Sequence, residues 1–156
     1  MGIGPSTKET TLHHFQDPIV AILGEDTDID FQGILVVGTP QDNYLKYLVG
    51  KRTAVWLQRM QTDGVIVSTD GWGNSDIDFA NTLAQIAQND ISIVGLKFIG
   101  TQAGFVVENE YTKMVLDTNK SESGTETQVV GENAVDKIDA KKALAFIKLK
   151  MRQSKS

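Results

Sequence analysis

The stretch Gly64-Val65-Ile66-Val67-Ser68-Thr69-Asp70-Gly71-Trp72-Gly73-Asn74-Ser75 decides the fold class of this chain. A short apolar run, Val65–Val67, ends in a glycine-rich turn, and residues of helical character follow to about Asn89. Short apolar runs bounded by turns are typical of strands that are buried on both faces of a parallel sheet. The stretch therefore predicts a strand, a turn and a helix in succession.

The same order of elements recurs on both sides of this stretch. Before it, Gly33–Gly38 predicts a strand, and a helical stretch extends to about Gln61. After it, Ile91–Leu96 predicts another strand, which ends in Gly100-Thr101-Gln102. Because parallel crossovers are nearly always right-handed, this alternation predicts an α/β fold. The expected architecture is a three-layer sandwich with a mainly parallel sheet, Rossmann- or flavodoxin-like.

Apolar spacing predicts which face of the first helix is buried. Lys46, Lys51 and Arg59 are expected in solvent. The residues expected against the core are Leu45, Leu48, Val49, Val55, Trp56 and Met60.

The two later helices have more regular apolar patterns. Ser75 with Asp78 predicts a capping box at the start of the second helix. Its predicted apolar stripe is Ile77, Ala80, Ala84 and Ala87, widened by Phe79, Leu83 and Ile86. The final helix, about Ile138–Met151, is predicted to bury Ala140, Ala143, Leu144, Ile147 and Met151.

The rest of the chain carries weaker signals. Ile19–Leu23, Met114–Leu116 and Gln128–Gly131 are candidate short strands, and Asp117–Glu126 reads as a polar loop. We expect one domain over residues 1–156, with an arm at 1–30, a core at 31–151 and a tail at 152–156.

Composition excludes several classes of function. The 156 residues carry a net charge of -5, which argues against nucleic acid as a partner. They include no Cys, so they form no disulfide, Cys-ligated zinc site or thiol nucleophile. No apolar stretch is long enough to span a membrane and the start does not read as a signal peptide, so a cytoplasmic location is expected.

Three ligand-binding motifs are incomplete in this chain. Gly50-Lys51 is followed by Arg52 where a phosphate-binding loop requires Ser or Thr. Asp26–Asp30 begins like a calcium loop, but Phe31 stands where Gly is required. No G-x-G-x-x-G follows the first predicted strand. The sequence therefore predicts no metal site and no dinucleotide site.

A ligand site in such a fold lies beyond the carboxyl ends of the strands. Two interpretations stay open for the Gly-Trp-Gly turn: its glycines supply positive φ while Trp72 covers the core, or the turn contacts a ligand or partner. His13 and His14 are either structural or include one acid/base group. The candidate substrate or interface residues are Thr10, His13, His14, Ser68, Asp70, Gly71, Trp72, Gly73, Asn74, Thr101, Gln102, Glu132 and Asn133.

Many separated segments share the sequence pattern of one known family. They are Gly2–Thr10, His13-His14-Phe15 with Asp17-Pro18, Asp63–Ser68, Gly71–Ser75, Asp78–Thr82, Val94–Leu96, Gly100 with Gln102-Ala103, Phe105–Val107, Asn119–Thr127 and Asp139–Leu144. Together they resemble the small, pyruvoyl-bearing subunit of the D-proline reductase family. The glycine, sarcosine and betaine reductases have related but more distant subunits.

The resemblance implies a role in amino-acid (Stickland) fermentation, in which D-proline is reductively cleaved to 5-aminovalerate. In that family, a pyruvoyl carbonyl made by self-cleavage at a cysteine binds the amine, and a selenocysteine on a separate subunit attacks the α-carbon. The family's cysteine precedes the Gly2-Ile3-Gly4-Pro5 segment, where this chain has Met1. We therefore expect no catalytic residue and no cofactor in this chain, with the pyruvoyl group and the selenocysteine on partner subunits.

Two functions follow as hypotheses. The first is an accessory, non-pyruvoyl subunit of the D-proline reductase complex, whose partners are the pyruvoyl-bearing and selenocysteine-containing subunits, with a second copy as a further candidate. The second is a free-standing amino-acid binding module derived from the family. An independent enzyme would need an electrophile that the sequence does not supply.

Overall fold

The computed structural model describes residues 17–69, 73–99, 105, 107–120 and 135–154. The predicted strand Gln128–Gly131 and most of the predicted loop 117–126 lie outside these ranges. The elements are helices α1 (Pro18–Glu25), α2 (Asn43–Arg59), α3 (Ser75–Ala87) and α4 (Lys137–Ser154), a 3-10 helix (Glu110–Met114), and strands β1 (Gly64–Thr69), β2 (Ser92–Lys97) and β3 (Val115–Asp117).

The three strands form one parallel sheet in the order β1-β2-β3. Val65 of β1 lies opposite Ile93 of β2, and Gly95 of β2 lies opposite Val115 of β3. At Gly95 a Cβ atom would stand 2.7 Å from Val115 Cγ2 and 2.9 Å from Phe79 Cζ. The missing side chain therefore lets α3 and β3 approach the middle of the sheet.

Helices cover both faces of the sheet. On one face, α2 and α3 pack against Val65, Val67 and Ile93. On the other face, α1 and α4 pack against residues of alternate position, including Ile66, Val94 and Leu96. Because successive side chains of a strand point to opposite faces, these apolar runs bury both sides. The predicted three-layer α/β architecture is confirmed.

The candidate strand Ile19–Leu23 is wrong, because these residues belong to helix α1. Asp17 is the N-cap residue, and its carboxylate accepts a hydrogen bond from the Ile19 backbone N–H at 2.8 Å. Pro18 occupies the first helical turn, where its missing N–H costs nothing. The Asp-Pro pair specifies a helix start, and this outweighs the strand propensity of the β-branched residues.

The predicted strand Gly33–Gly38 is also wrong, since these residues are irregular and pair with no strand in the described part of the chain. Ile34 is 69% exposed and Val36 is 89% exposed. A strand needs a neighbour for its backbone hydrogen bonds, and this run remains in solvent.

The buried face of α2 differs from the prediction. Leu45, Val55, Trp56 and Met60 are exposed, whereas Lys46 is buried. The complete buried stripe is Lys46, Gly50, Thr53, Ala54 and Leu57. These positions recur at helical spacing, but most carry small or polar side chains, so a count of large apolar residues selects the wrong face.

Helices α3 and α4 confirm most of their predictions. Phe79, Leu83 and Ile86 of α3 are buried, as are Ala140, Ala143, Leu144 and Ile147 of α4. The capping box at Ser75 is wrong: the N-cap is Asn74, and the Asp78 carboxylate pairs with Lys46 instead.

An ion-pair cluster holds α4 against the residues that follow α1. Lys148 Nζ lies 2.6 Å from Asp26 Oδ2 and 2.9 Å from Asp28 Oδ2. The hydrogen bond from Lys148 lowers the pKa of Asp26, and the hydrogen bonds to Asp26 and Asp28 raise the pKa of Lys148. This end of α4 also meets β1, because Met151 Sδ lies where a Cβ atom of Gly64 would stand.

Candidate functional site at the carboxyl edge of the sheet

The carboxyl ends of β1 and β2 and the start of α3 form one edge of the sheet. Ser68 lies exposed near the end of β1, at the predicted position. Gly73 has φ = +66°, a backbone conformation that favours glycine, and no atom of the described residues lies within 4 Å of where its Cβ would be. Asn74 occupies the N-cap position of α3, but its side chain makes no capping hydrogen bond and instead donates a long one of 3.5 Å to the Gln41 side chain. The start of α2 therefore also reaches this edge.

The remaining predicted site residues lie outside the described ranges and stay predictions. They are Thr10, His13, His14, Asp70, Gly71, Trp72, Thr101, Gln102, Glu132 and Asn133.

Two buried ion pairs form the floor of this edge. Lys46 Nζ of α2 lies 2.5 Å from Asp78 Oδ2, with side chains 2% and 7% exposed. Lys97 Nζ, at the end of β2, lies 2.9 Å from Asp76 Oδ1, and this pair is equally buried. Both carboxylates come from the first turn of α3. All four groups are side chains of elements that converge on the carboxyl edge.

Local physics explains why these residues meet. Carboxylates in the first helical turn interact favourably with the positive end of the helix dipole, which places Asp76 and Asp78 at the start of α3. Lys97 lies four residues after Ile93 on the same face of β2, the face covered by α3. The register of the sheet thus directs a lysine toward the helix start.

A backbone contact fixes how closely α2 approaches α3. Asn81 Nδ2, itself buried, donates to the Lys46 carbonyl oxygen at 3.2 Å. A Cβ atom on Gly50 would stand 2.2 Å from the same Asn81 nitrogen. Glycine at this position therefore permits the helix contact that brings Lys46 to Asp78.

Each of the four buried charges lies beside a charge of opposite sign. Removing charges from water is costly, and close pairing offsets that cost. The formal charges of the two pairs cancel, so these four side chains add no net charge to the edge. The second carboxylate oxygen of Asp78, Oδ1, is buried and has no hydrogen-bond partner in the described part of the chain.

Sequence reasoning located the edge but missed these pairs. It placed Lys46 in solvent, assigned Asp78 to a capping box, and gave Lys97 and Asp76 no role. One signal was available: Lys97 interrupts an apolar run at its carboxyl end, where a charge needs a partner. Asp76 and Asp78, at the next helix start, offered that partner.

The described residues include neither a metal site nor a membrane-spanning helix. No group of three or more His, Asp or Glu side chains there is arranged to hold a metal ion. None of the helices described is long and apolar enough to cross a bilayer.

The fold and this edge define an α/β protein with a polar site beside the switch from strand to helix. Comparison with known proteins narrows the class. Residues 2–136 match the family of glycine/sarcosine/betaine reductase component B subunits. The chain belongs to this family, which confirms the resemblance seen in the sequence.

Two curated relatives show the range of similarity. The D-proline reductase proprotein of Acetoanaerobium sticklandii is 36% identical over 146 residues, or 94% of this chain. The sarcosine reductase complex component B subunit alpha of Peptoclostridium acidaminophilum is 26% identical over 94 residues, or 59% of this chain. The matched parts cover only 23% and 22% of those proteins. No solved structure matches the chain.

Proposed function

We propose that this chain is an accessory, non-pyruvoyl subunit of a D-proline reductase assembly. Its role is to supply scaffold and part of the wall of the site in which D-proline is reductively cleaved. The relative with 36% identity is a D-proline reductase proprotein, and the similarity extends over 94% of this chain, which supports proline over glycine-type substrates.

The single observation that carries this proposal is the pair of buried ion pairs at the carboxyl edge. In the position where this fold binds ligands, the ammonium groups of Lys46 and Lys97 are each paired with a carboxylate from the first turn of α3. Such pairs hold α2, α3 and β2 in one arrangement. Fixed helices and a fixed strand are what a subunit needs in order to form part of the wall of a site.

The reactive groups of the family are proposed to come from the partner subunits. None of the 156 residues is Cys, so these residues do not fit a cysteine-derived pyruvoyl group. The pyruvoyl-bearing and selenocysteine-containing subunits are the proposed partners. The residues at 10, 13, 14, 70–72, 101–102 and 132–133, together with Ser68, Gly73 and Asn74, are proposed to line the substrate site or the subunit contact.

Co-purification tests the proposal. A tagged form of the chain, expressed in its own host during growth on D-proline, is expected to carry the other reductase subunits through two columns at constant ratio. D-Proline reduction should follow that complex, and the chain alone should show none. Migration of the chain by itself, in extracts where the other subunits assemble, would contradict the proposal.

One observation favours a second candidate, a free-standing amino-acid binding module. Asp78 Oδ1 is a buried acceptor without a hydrogen-bond partner among the described residues, and an ammonium group would satisfy it. Ligand at 100 times its Kd should stabilise the isolated chain by about 2.7 kcal/mol. Thermal melts with D-proline, L-proline and glycine decide the matter, because no shift with any of them excludes this candidate.

A further inference from the structure

The face of α2 opposite its buried stripe is rich in large apolar side chains. Tyr44 is 72% exposed and Trp56 is 65% exposed, and Leu45 and Val55 are exposed beside them. Residues 44, 48, 51, 55 and 59 recur every three or four positions, so they lie along one side of the helix. We call the side formed by Tyr44, Leu45, Leu48, Lys51, Arg52, Val55, Trp56 and Arg59 the outer face of α2.

This outer face is not required by the fold. The residues of α2 that pack on α3 are Lys46, Gly50, Thr53, Ala54 and Leu57. If the residues of the outer face were polar, α2 would still bury these same five. A contiguous patch of exposed apolar side chains is characteristic of an interaction site. The composition of Trp, Tyr and Arg is also that of interface residues that contribute most to affinity.

The charges of the outer face are all of one sign. No Asp or Glu occurs between Asn43 and Arg59, while Lys51, Arg52 and Arg59 are exposed. The fourth cation, Lys46, is buried and neutralised by Asp78. The face is thus locally cationic on a chain whose net charge is -5.

The sign of the charge decides the occupant. If two copies met through their outer faces, three cations would oppose three cations, which disfavours a symmetric dimer. We propose that the outer face of α2 docks an apolar surface bordered by carboxylates on another subunit of the reductase assembly. This inference rests on the proposed function for the identity of the partner, and on the face itself for its chemistry.

The helix supplies only part of such a contact. Seventeen residues extend for about 25 Å, and a stable interface buries about 800 Å² on each partner. The aromatic and aliphatic side chains provide the apolar centre, and the three cations border it. Carboxylates on the partner would speed association and fix orientation, and salt would weaken both effects.

Two variants test the inference, each with a matched control on α4. Trp56→Ala removes the largest apolar contact, and Phe146→Ala truncates an aromatic that is 43% exposed elsewhere. Arg52→Glu reverses a charge of the outer face, and Lys142→Glu reverses an exposed charge of α4. All four side chains are exposed, so circular dichroism melts should stay near wild type.

Binding is measured by biolayer interferometry against D-proline reductase purified from the host without this chain. Trp56→Ala and Arg52→Glu are each expected to weaken Kd about tenfold or more, and both controls to leave it unchanged. Raising NaCl from about 50 mM to about 500 mM should weaken the binding of the wild type more than it weakens the binding of Arg52→Glu.

Other outcomes overturn the inference in distinguishable ways. Wild-type binding that both outer-face variants retain would show that another surface docks, while the proposed function stands. A wild-type dimer by light scattering that Trp56→Ala dissociates would show a second copy as the occupant. Failure of the wild type to bind the reductase would remove the proposed function and the inference together.

Discussion

Replacing Asp78 by alanine should destabilise the protein severely. Lys46 and Asp78 have side chains only 2% and 7% exposed and lie 2.5 Å apart, so the substitution leaves a buried ammonium without its partner. Breaking a buried pair in this way costs about 3–5 kcal/mol, and total stabilities are about 5–15 kcal/mol. For a chain of this length the melting temperature should fall by roughly 6–20 °C.

Urea unfolding followed by circular dichroism measures this loss. The matched control is Asp28→Ala, which removes a carboxylate that is 71% exposed and pairs with Lys148. Because exposed pairs contribute little, its midpoint should stay close to wild type. The double variant Lys46→Met/Asp78→Leu removes both charges and should recover most of the loss, since apolar replacements of a buried pair are often neutral or stabilising.

The result that would refute this reasoning is a loss below about 1 kcal/mol for Asp78→Ala, the value typical of an exposed pair. It would mean that water reaches Lys46 and that the carboxyl edge is open. A large loss that the double variant does not recover would assign the cost to packing instead of charge. Only a large loss of stability for Asp78→Ala, recovered in the double variant, supports the conclusion that the two charges are buried and that each requires the other.

Three further predictions follow from other contacts. Gly50→Ala should destabilise by about 1–3 kcal/mol in urea despite a helix-propensity gain of about 1 kcal/mol, because its Cβ would stand 2.2 Å from Asn81 Nδ2. Lys148→Met should lose the stability that is linked to the lowered pKa of Asp26. That contribution is present above pH 3.8 and is lost as the pH falls through the pKa of Asp26 in the folded protein. In acid titrations, the difference in stability between wild type and variant should therefore shrink as the pH falls below 3.8. Asn109→Ala should cost about 1–3 kcal/mol in thermal melts, since its side chain both caps the 3-10 helix and hydrogen-bonds to α3.

The apolar patterns predicted the elements whose burial depends on large side chains. β2, α3 and α4 bury such residues at the period of their own structure, β1 packs half-buried valines and isoleucine in the same way, and local patterns contain that information. α1 was misread because its eight residues are mostly apolar and three of them are β-branched, a composition that does not separate a short helix from a strand. The Asp17-Pro18 pair was the deciding signal.

The orientation of α2 was beyond sequence patterning for a different reason. Its buried stripe is chosen by a partner thirty-two residues away, since Lys46 can be buried only where Asp78 neutralises it. Such a pairing depends on tertiary structure and cannot be predicted from the spacing of apolar residues along one helix. The candidate site divides in the same way: strand direction predicts the edge with Ser68, Gly73 and Asn74, whereas its charged floor depends on the packing of α2 and α3.

The two faces of α2 are therefore linked. The ion pair to Asp78 and the close approach at Gly50 determine which side of the helix packs on α3, and the same choice turns Tyr44, Arg52 and Trp56 outward. A helix that buried its large apolar residues would hide the outer face and expose a lysine. The cost of burying Lys46 is offset by its pair, and the consequence is that the outer face of α2 is turned to solvent. Asp78→Ala should accordingly weaken association as well as stability, whereas Trp56→Ala should weaken association alone.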